Sequence, residues 1–354
     1  MFQQLTVVEL ASVLAGPAVG MFFAELGAKV IKVENKTTQG DVTRRWKLPS
    51  ETTDAPLSAY YCSVNYNKET LLLDLRADDD YAQLIKIIAT ADVVISNFKH
   101  RSARRLRLDA DTLRRQFPSL IFAQLNGYPD GNDKPAFDVV LQAEAGFMYM
   151  NGTADAPPVK MPVALIDILA AHQLKAGILL ALLQRERSGQ GSTVTTSLYE
   201  SAIASLANQA TNWLMAGHIP QRMGSQHPNI APYGDIFITK DDKQIVLAVG
   251  TEQQFVQLCH VLEADALAKD ERFVHNTVRV QHRMQLAEYL QRYIKEWQRD
   301  DLLLQLTTAS VPAGSIQNMQ EVFEDTAAQQ MILHESMADG STSKRVKTVA
   351  FKLE

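Results

Sequence analysis

Through the first two thirds of the chain, apolar residues come in short runs separated by stretches of helical spacing. Leu5 to Leu10 is one such run, Ala15-Gly16-Pro17 breaks it, Gly20 to Leu26 is spaced as a helix, and Ala28 to Val33 is a second, β-branched run. The pattern predicts strand, helix, strand, with a Gly-Pro turn at the carboxyl end of the first strand. Leu71 to Leu75, Asp92 to Ser96 and Leu120 to Leu125 predict three more strands, with helix formers between them at Tyr81 to Thr90 and Ala110 to Phe117. Such alternation predicts an α/β fold: a doubly wound, mostly parallel, Rossmann-like sheet whose ligands bind beyond the carboxyl ends of its strands.

Phe137 to Met150 and Pro162 to Gln184 read as long helices, Thr193 to Thr196 as a short strand and Leu198 to Ala216 as another helix. Pro220, Gly224, Pro228 and Pro232 then mark residues 217–233 as a linker. Beyond it, Asp235 to Thr239 and Gln244 to Val249 flank Lys240-Asp241-Asp242-Lys243 as a hairpin would. Helical patterns at Glu252 to Leu262, Val280 to Tyr293 and Asp300 to Thr307 follow, then a strand near Ala313 to Ile316. The expected division is a large domain over 1–216, a smaller α/β domain over 234–324, and a tail over 325–354 that completes the large domain. Within the tail, Lys344 to Leu353 alternates as a strand does.

Composition narrows the function. A chain of 354 residues, 46% hydrophobic and 21% charged, can bury a full core. Its net charge of -5 supplies no general field for nucleic acid or an anionic membrane, so an anionic ligand needs a local basic cluster. The two cysteines, Cys62 and Cys259, lie far apart with no metal-ligand spacing around either, which fits a reduced, cytoplasmic enzyme without a metal. The opening residues do not read as a signal peptide, and His172, Gln173 and Lys175 interrupt the longest apolar stretch short of a membrane span.

Two features could carry chemistry. Lys99, His100, Arg101, Arg104, Arg105 and Arg107 follow the strand ending at Ser96, where a doubly wound sheet has its crevice rim. A phosphate could meet arginine forks there and Phe98 could stack on a base, although a solvated helix face has the same composition. The second is Asp167, the one ionisable group in Pro162 to Ala171. A carboxylate buried there costs several kcal/mol unless hydrogen bonds or a helix start offset it. His172 fits a core histidine better than a partner of Asp167. Glu34 and Glu144 are candidate polar contacts, and neither cysteine has the surroundings of a reactive thiolate. No GxGxxG follows the first strand and no GxxxxGK[ST] occurs, which disfavours nicotinamide and nucleoside-triphosphate enzymes.

Taken together, several segments resemble the family III coenzyme A transferases, the crotonobetaine/formyl-CoA (CaiB/BaiF) type. They are Val7-Val8-Glu9-Leu10 with Leu14-Ala15-Gly16-Pro17, Leu26 to Glu34, Gly40-Asp41-Val42-Thr43-Arg44, Asn97-Phe98 with Arg105, Phe137-Asp138 with Gln142 and Gly146, Asp167, and Arg187 to Gly191. His227 to Tyr233, Asp270 to Phe273 and Val311 to Gly314 extend the likeness through the second domain. The resemblance implies an interlocked homodimer that takes acyl-CoA and a small carboxylic acid as substrates. It implies Asp167 as a nucleophile forming an aspartyl anhydride and thioester, and Leu14, Ala15, Lys36, Asn97, Phe98, Arg101, Arg105 and Lys134 as the CoA-binding residues.

Departures from the family pattern matter as well. Leu14 stands where some formyl-CoA transferases have glutamine, and Pro135 where they have a lysine, with Lys134 beside it as a substitute. No glycine-only loop of the oxalate-covering kind follows His227, which turns the expectation away from oxalate. The α-methylacyl-CoA racemases share the resemblance but carry histidine before the aspartate, where this chain has Phe137. Racemisation needs a positioned base, so the reading favours transfer. A nucleotide-binding protein without turnover is the third alternative, and the presence of Asp167 counts against it.

Overall fold

The computed structural model describes residues 2–129, 132, 134–336, 340 and 342–353. Two compact units divide the chain: Met1–Phe147 with Lys160–His218 and Gln330–Glu354, and Met148–Val159 with Ile219–Gln329.

In the first unit a six-stranded sheet is built from β1 (Thr6–Leu10), β2 (Lys29–Asn35), β3 (Lys68–Leu73), β4 (Val93–Ser96), β5 (Ile121–Asn126) and β6 (Thr193–Ser197). The strands are all parallel, in the order β3-β2-β1-β4-β5-β6. The order in which strands are added to the sheet reverses between β1 and β4, which places the crevice of a doubly wound fold at their carboxyl ends.

Alternation along the strands feeds two cores. Val7, Val30, Val93, Ile95, Ile121 and Ala123 pack under α1 (Ala15–Glu25) and, further along the chain, under the helix Leu165–Ser188. Val8, Leu10, Val94 and Phe122 pack on the opposite face with Leu84 and Ile88 of α2 (Asp78–Ile88) and with Leu113. Three further helices follow: α3 (His100–Arg105), α4 (Ala110–Gln116) and α5 (Asp138–Glu144). They are followed by α6, the helix Leu165–Ser188, then α7 (Leu198–Ala204) and α8 (Ala207–Ala216).

Several boundaries differ from the expected ones for local reasons. Ala15-Gly16-Pro17 is the first turn of α1 rather than a break, because a proline there gives up an N–H that no helical acceptor would have reached. The expected strand at Leu71 lies three residues earlier and opens on Lys68, whose side chain is buried by a distant carboxylate. The expected helix over 137–150 is interrupted at Gly146, φ +85°, and that over 198–216 before Ala207, φ +47°. Nor do His172, Gln173 and Lys175 interrupt the next apolar stretch: α6 runs through them and by length and composition could cross a bilayer. Its Ile166, Ala170, Ala171, Leu174 and Ile178 lie in the sheet core, as in the core helix of a globular unit.

The second unit holds a three-stranded antiparallel sheet of β7 (Tyr233–Ile238), β8 (Gln244–Ala248) and β9 (Ala313–Ser315), with the expected hairpin between the first two. Around it pack α9 (Glu252–Val261), α10 (Arg283–Ile294) and α11 (Arg299–Thr308), through Phe255, Leu258, Leu286, Leu290, Leu302 and Leu306. The tail returns to the first unit. It forms an antiparallel hairpin of β10 (Ile332–Ser336) and β11 (Thr342–Val346), after which the N–H groups of Thr348 and Val349 donate to Glu25 at the end of α1.

Candidate functional site

The turn after β1 and the turn after β4 are tied across the crevice. Ser12 N–H donates to Asn97 Oδ1 (3.3 Å) and Asn97 Nδ2 donates to the Ser12 carbonyl (3.0 Å). A cavity of about 150 Å3 opens at this junction, and its lining includes Leu14, Ala15, Asn97, Phe98, Lys134, Phe137 and Asp167. Five of the eight expected CoA-binding residues therefore share one cavity with the expected nucleophile.

Asp167 reaches the cavity because α6 precedes β6 and begins where the parallel strands end. It lies in the first turn of α6 and is 8% exposed. No described residue donates a hydrogen bond to its carboxylate. The expectation of N–H donors around it is thus met only by its place at a helix start. Burial, and after it the charge of Asp138, pushes the Asp167 carboxyl up from 3.8 to about 7.

Asp138, the first residue of α5, fixes this geometry. Its Oδ1 accepts from Ile166 N–H (2.7 Å), which caps α6 from outside, and its Oδ2 accepts from Gln142 Nε2 (2.6 Å). Gln142 in turn accepts from Met161 N–H (2.8 Å), so one short network holds both α6 and the segment leading into it.

Tyr60 belongs to the same surroundings and was missed in the sequence, where no motif marks it. Burial, then the charges of Asp167, Asp138 and Asp41, pushes its phenol up to about 12, which keeps it a hydrogen-bond donor. Its ring meets Trp46 edge-on at 5.1 Å.

A larger cavity, about 520 Å3, lies beyond the ends of β1, β2 and β3. Ala11, Ser12, Asn35, Thr37, Arg76, Phe98 and Arg105 are among its lining residues. Ser12 and Phe98 line both cavities. Lys36 and Arg101 line neither: both are exposed, and Lys36 Nζ stands 3.8 Å from Asp80. Arg76, which the basic run after β4 did not include, lines the larger cavity.

Other candidates find different places. Glu144 pairs with Lys134 and accepts from Tyr128 (2.7 Å), and Glu34 takes Arg44 in a two-pronged ion pair beside Tyr61. His172 is exposed on α6, not in the core, because it falls on the face turned away from the sheet. Burial pushes the Cys62 thiol up and takes Cys259 to about 12, so neither is a ready thiolate. His227 accepts from Asn229 N–H, a turn contact within the second unit.

Fold and site together place a desolvated carboxylate in a cavity at the switch point of a parallel α/β sheet. A family model described as CoA-transferase family III matches residues 2–354, and the chain belongs to that family. It is 37% identical to a succinate–glutarate CoA-transferase of Agrobacterium fabrum, over 97% of this chain and 87% of that protein. It is 33% identical to a succinyl-CoA:mesaconate CoA-transferase of Haloarcula hispanica, over 91% of this chain and 81% of that protein. Among solved structures, a CaiB/BaiF family protein from Brucella suis superposes with a TM-score of 0.83 at 35% identity, covering 98% of this chain and 91% of that one. The protein is accordingly an enzyme that moves CoA between an acyl-CoA and a carboxylic acid.

Proposed function

We propose that Asp167 is the nucleophile of this transfer and that the acids exchanged are short dicarboxylates. The reading rests above all on Asp167 sharing a single cavity with Leu14, Ala15, Asn97, Phe98 and Lys134 at the switch point of the sheet. In the larger adjoining cavity, Phe98 and Arg105 would hold the nucleotide end of CoA, with Arg76 as a further cation for phosphate.

The chemistry follows from a carboxylate poorly solvated by its surroundings. An Asp167 oxygen attacks the thioester carbonyl, the C–S bond breaks, and the CoA thiolate stays bound while an aspartyl anhydride forms. Attack of the thiolate on the aspartyl carbonyl releases the donor acid and leaves an aspartyl-CoA thioester. The acceptor carboxylate then displaces the thiolate from that thioester, giving a second anhydride. Attack of the thiolate on the acceptor carbonyl completes the new acyl-CoA and frees Asp167. Low solvation also protects the anhydride, which water would hydrolyse.

The relatives' substrates supply the acids to try. With succinyl-CoA as donor, glutarate and mesaconate should be converted to their CoA esters, and monocarboxylates of equal length should react about tenfold or more slowly. A protein that transfers nothing to any dicarboxylate, yet exchanges the α-hydrogen of a 2-methylacyl-CoA for deuterium in heavy water, would be a racemase instead. Phe137, at the position where the racemases have a base, supports transfer.

We also infer a homodimer and a cytoplasmic setting. On α8, which buries none of its residues, Trp213, Leu214 and Met215 are 53%, 77% and 82% exposed, an apolar patch suited to a second copy. Light scattering should give twice the chain mass of 39.4 kDa, and a monomer at micromolar concentration would contradict it. The free cysteines suit a reducing compartment.

A further inference from the structure

Beneath α1 lies a group of four charges that the transfer chemistry does not use. Glu9 and Lys32 are directly paired across β1 and β2, and both side chains are fully buried. Glu9 Oε1 accepts from Lys32 Nζ (2.9 Å) and Glu9 Oε2 from Lys68 Nζ (2.8 Å), while Asp41 Oδ2 lies 3.3 Å from Lys32 Nζ. The Lys68 and Asp41 side chains are each 1% exposed. Gly20 of α1 leaves room for the group, since a Cβ there would fall 1.9 Å from Glu9 Oε2.

Buried ion pairs of this kind contribute little net stability, because desolvation offsets most of the attraction. What the four charges hold is the turn from β1 into α1. Lys32 Nζ donates to the Ala11 carbonyl (2.8 Å), Val13 N–H donates to Asp41 Oδ2 (3.1 Å), and Lys68 Nζ donates to the Pro17 carbonyl (2.8 Å). Between these grips Val13 has φ +72°, a left-handed conformation that strains a β-branched residue. Ser12, Val13, Leu14 and Ala15, held in this way, line the cavity that contains Asp167.

We propose that Asp41, backed by Lys32, Glu9 and Lys68, is a positioning residue that keeps the Ala11–Ala15 turn in its strained form against the reacting thioester. The proposal rests on the Asp167 cavity being the reaction site. Its consequence is that the frame governs turnover more than CoA affinity, because Phe98 and Arg105, which would hold the nucleotide end, lie outside the turn. Strain at Val13 is the reason a tether is needed, so a residue at ease with positive φ should make the tether dispensable.

The test uses Asp41→Asn with and without Val13→Gly. In Asp41→Asn an amide NH2 either faces Val13 N–H and Lys32 or, flipped, faces the Thr43 N–H and hydroxyl that now donate to Oδ1. The turn should relax and kcat fall by about 10²-fold, the scale of loss for a misplacement of about 1 Å, with the KM for succinyl-CoA within threefold of its original value. Adding Val13→Gly should recover about tenfold in kcat. If Asp41→Asn alone does not fold, the double variant should fold and turn over within about tenfold of the parent. An unchanged kcat in folded Asp41→Asn would overturn the proposal. So would a change in KM alone, absence of recovery in the double variant, or a double variant that cannot fold. Acyl adducts on Asp167 are followed in parallel: no adduct in the unaltered enzyme refutes the nucleophile, whereas an adduct with unaltered kcat in Asp41→Asn refutes only the frame.

Discussion

Asp167→Asn should lower CoA transfer by about 10⁴-fold or more, with the protein still folded and still binding CoA. The amide keeps the shape of the side chain but cannot form the proposed anhydride, and losing a covalent nucleophile would remove the whole low-barrier route. The same substitution should change how stability depends on pH. Native Asp167 titrates at about 7 and an unfolded aspartate near 4, so between those values the folded protein binds the additional proton. Stability is therefore lost as pH rises through that window, and above pH 7 the ionised, buried carboxylate costs on the order of 4 kcal/mol relative to an ordinary one. Asp167→Asn should melt at a higher temperature than the parent at pH 8, and the difference should vanish at pH 4. An inactive variant that melts lower at both pH values would mean that the loss came from the fold.

The second large effect concerns Asp138. On the proposed route Asp167 attacks as the carboxylate, so kcat/KM of the free enzyme should rise with pH and level off above an apparent value of about 7. Burial contributes most to that elevated value, and the negative charge of Asp138 adds to it. In Asp138→Asn the limb should move to lower pH by about one unit, the scale on which a neighbouring like charge acts. The asparagine oxygen can still accept from Ile166 N–H, so α6 keeps its cap. Its NH2 group, however, would face the Gln142 Nε2 that now donates to Asp138, and a loss of about 1–3 kcal/mol in stability should accompany the shift. Position of the limb separates the two consequences, since a loosened fold lowers the plateau without moving it. A limb that stays in place would mean that the two carboxylates do not interact.

Legibility of the sequence followed the range of the interaction concerned. The strands β1, β4 and β5 and the hairpin of β7 and β8 could be read because their apolar patterns are local. Asp167 could be read because a lone charge among apolar neighbours is itself a local anomaly. The opening of β3 was misplaced because Lys68 and Glu69 look like a solvated loop, and it takes Glu9, 59 residues away, together with the Pro17 carbonyl to make the Lys68 side chain an interior one. Tyr60 escaped for a similar reason, and so did the role of Asp41, which the sequence shows only as part of a family-like segment. Nothing near them in the chain shows that the fold carries one toward Asp167 and the other under the turn at Val13.

The basic run after β4 was legible as a group but not residue by residue. Arg105 lines the larger cavity while Arg101, four residues earlier, does not, and Arg76 arrives there from the end of β3. Which arginine turns inward depends on how α3 sits on the sheet, and the packing of Ala103 and Leu108 decides that more than the charges do. His172 shows the converse error. Apolar neighbours suggested a core position, yet α6 is apolar on more faces than the sheet can cover.

Intact-mass and peptide mass spectrometry of the enzyme, quenched with hydroxylamine or borohydride during incubation with succinyl-CoA, bears most directly on the carboxylate at the head of α6. Hydroxylamine should leave a hydroxamate, and borohydride an alcohol, on the peptide containing Asp167, and neither product should form without the thioester or in Asp167→Asn. Active transfer with residue 167 unmodified would contradict the covalent route.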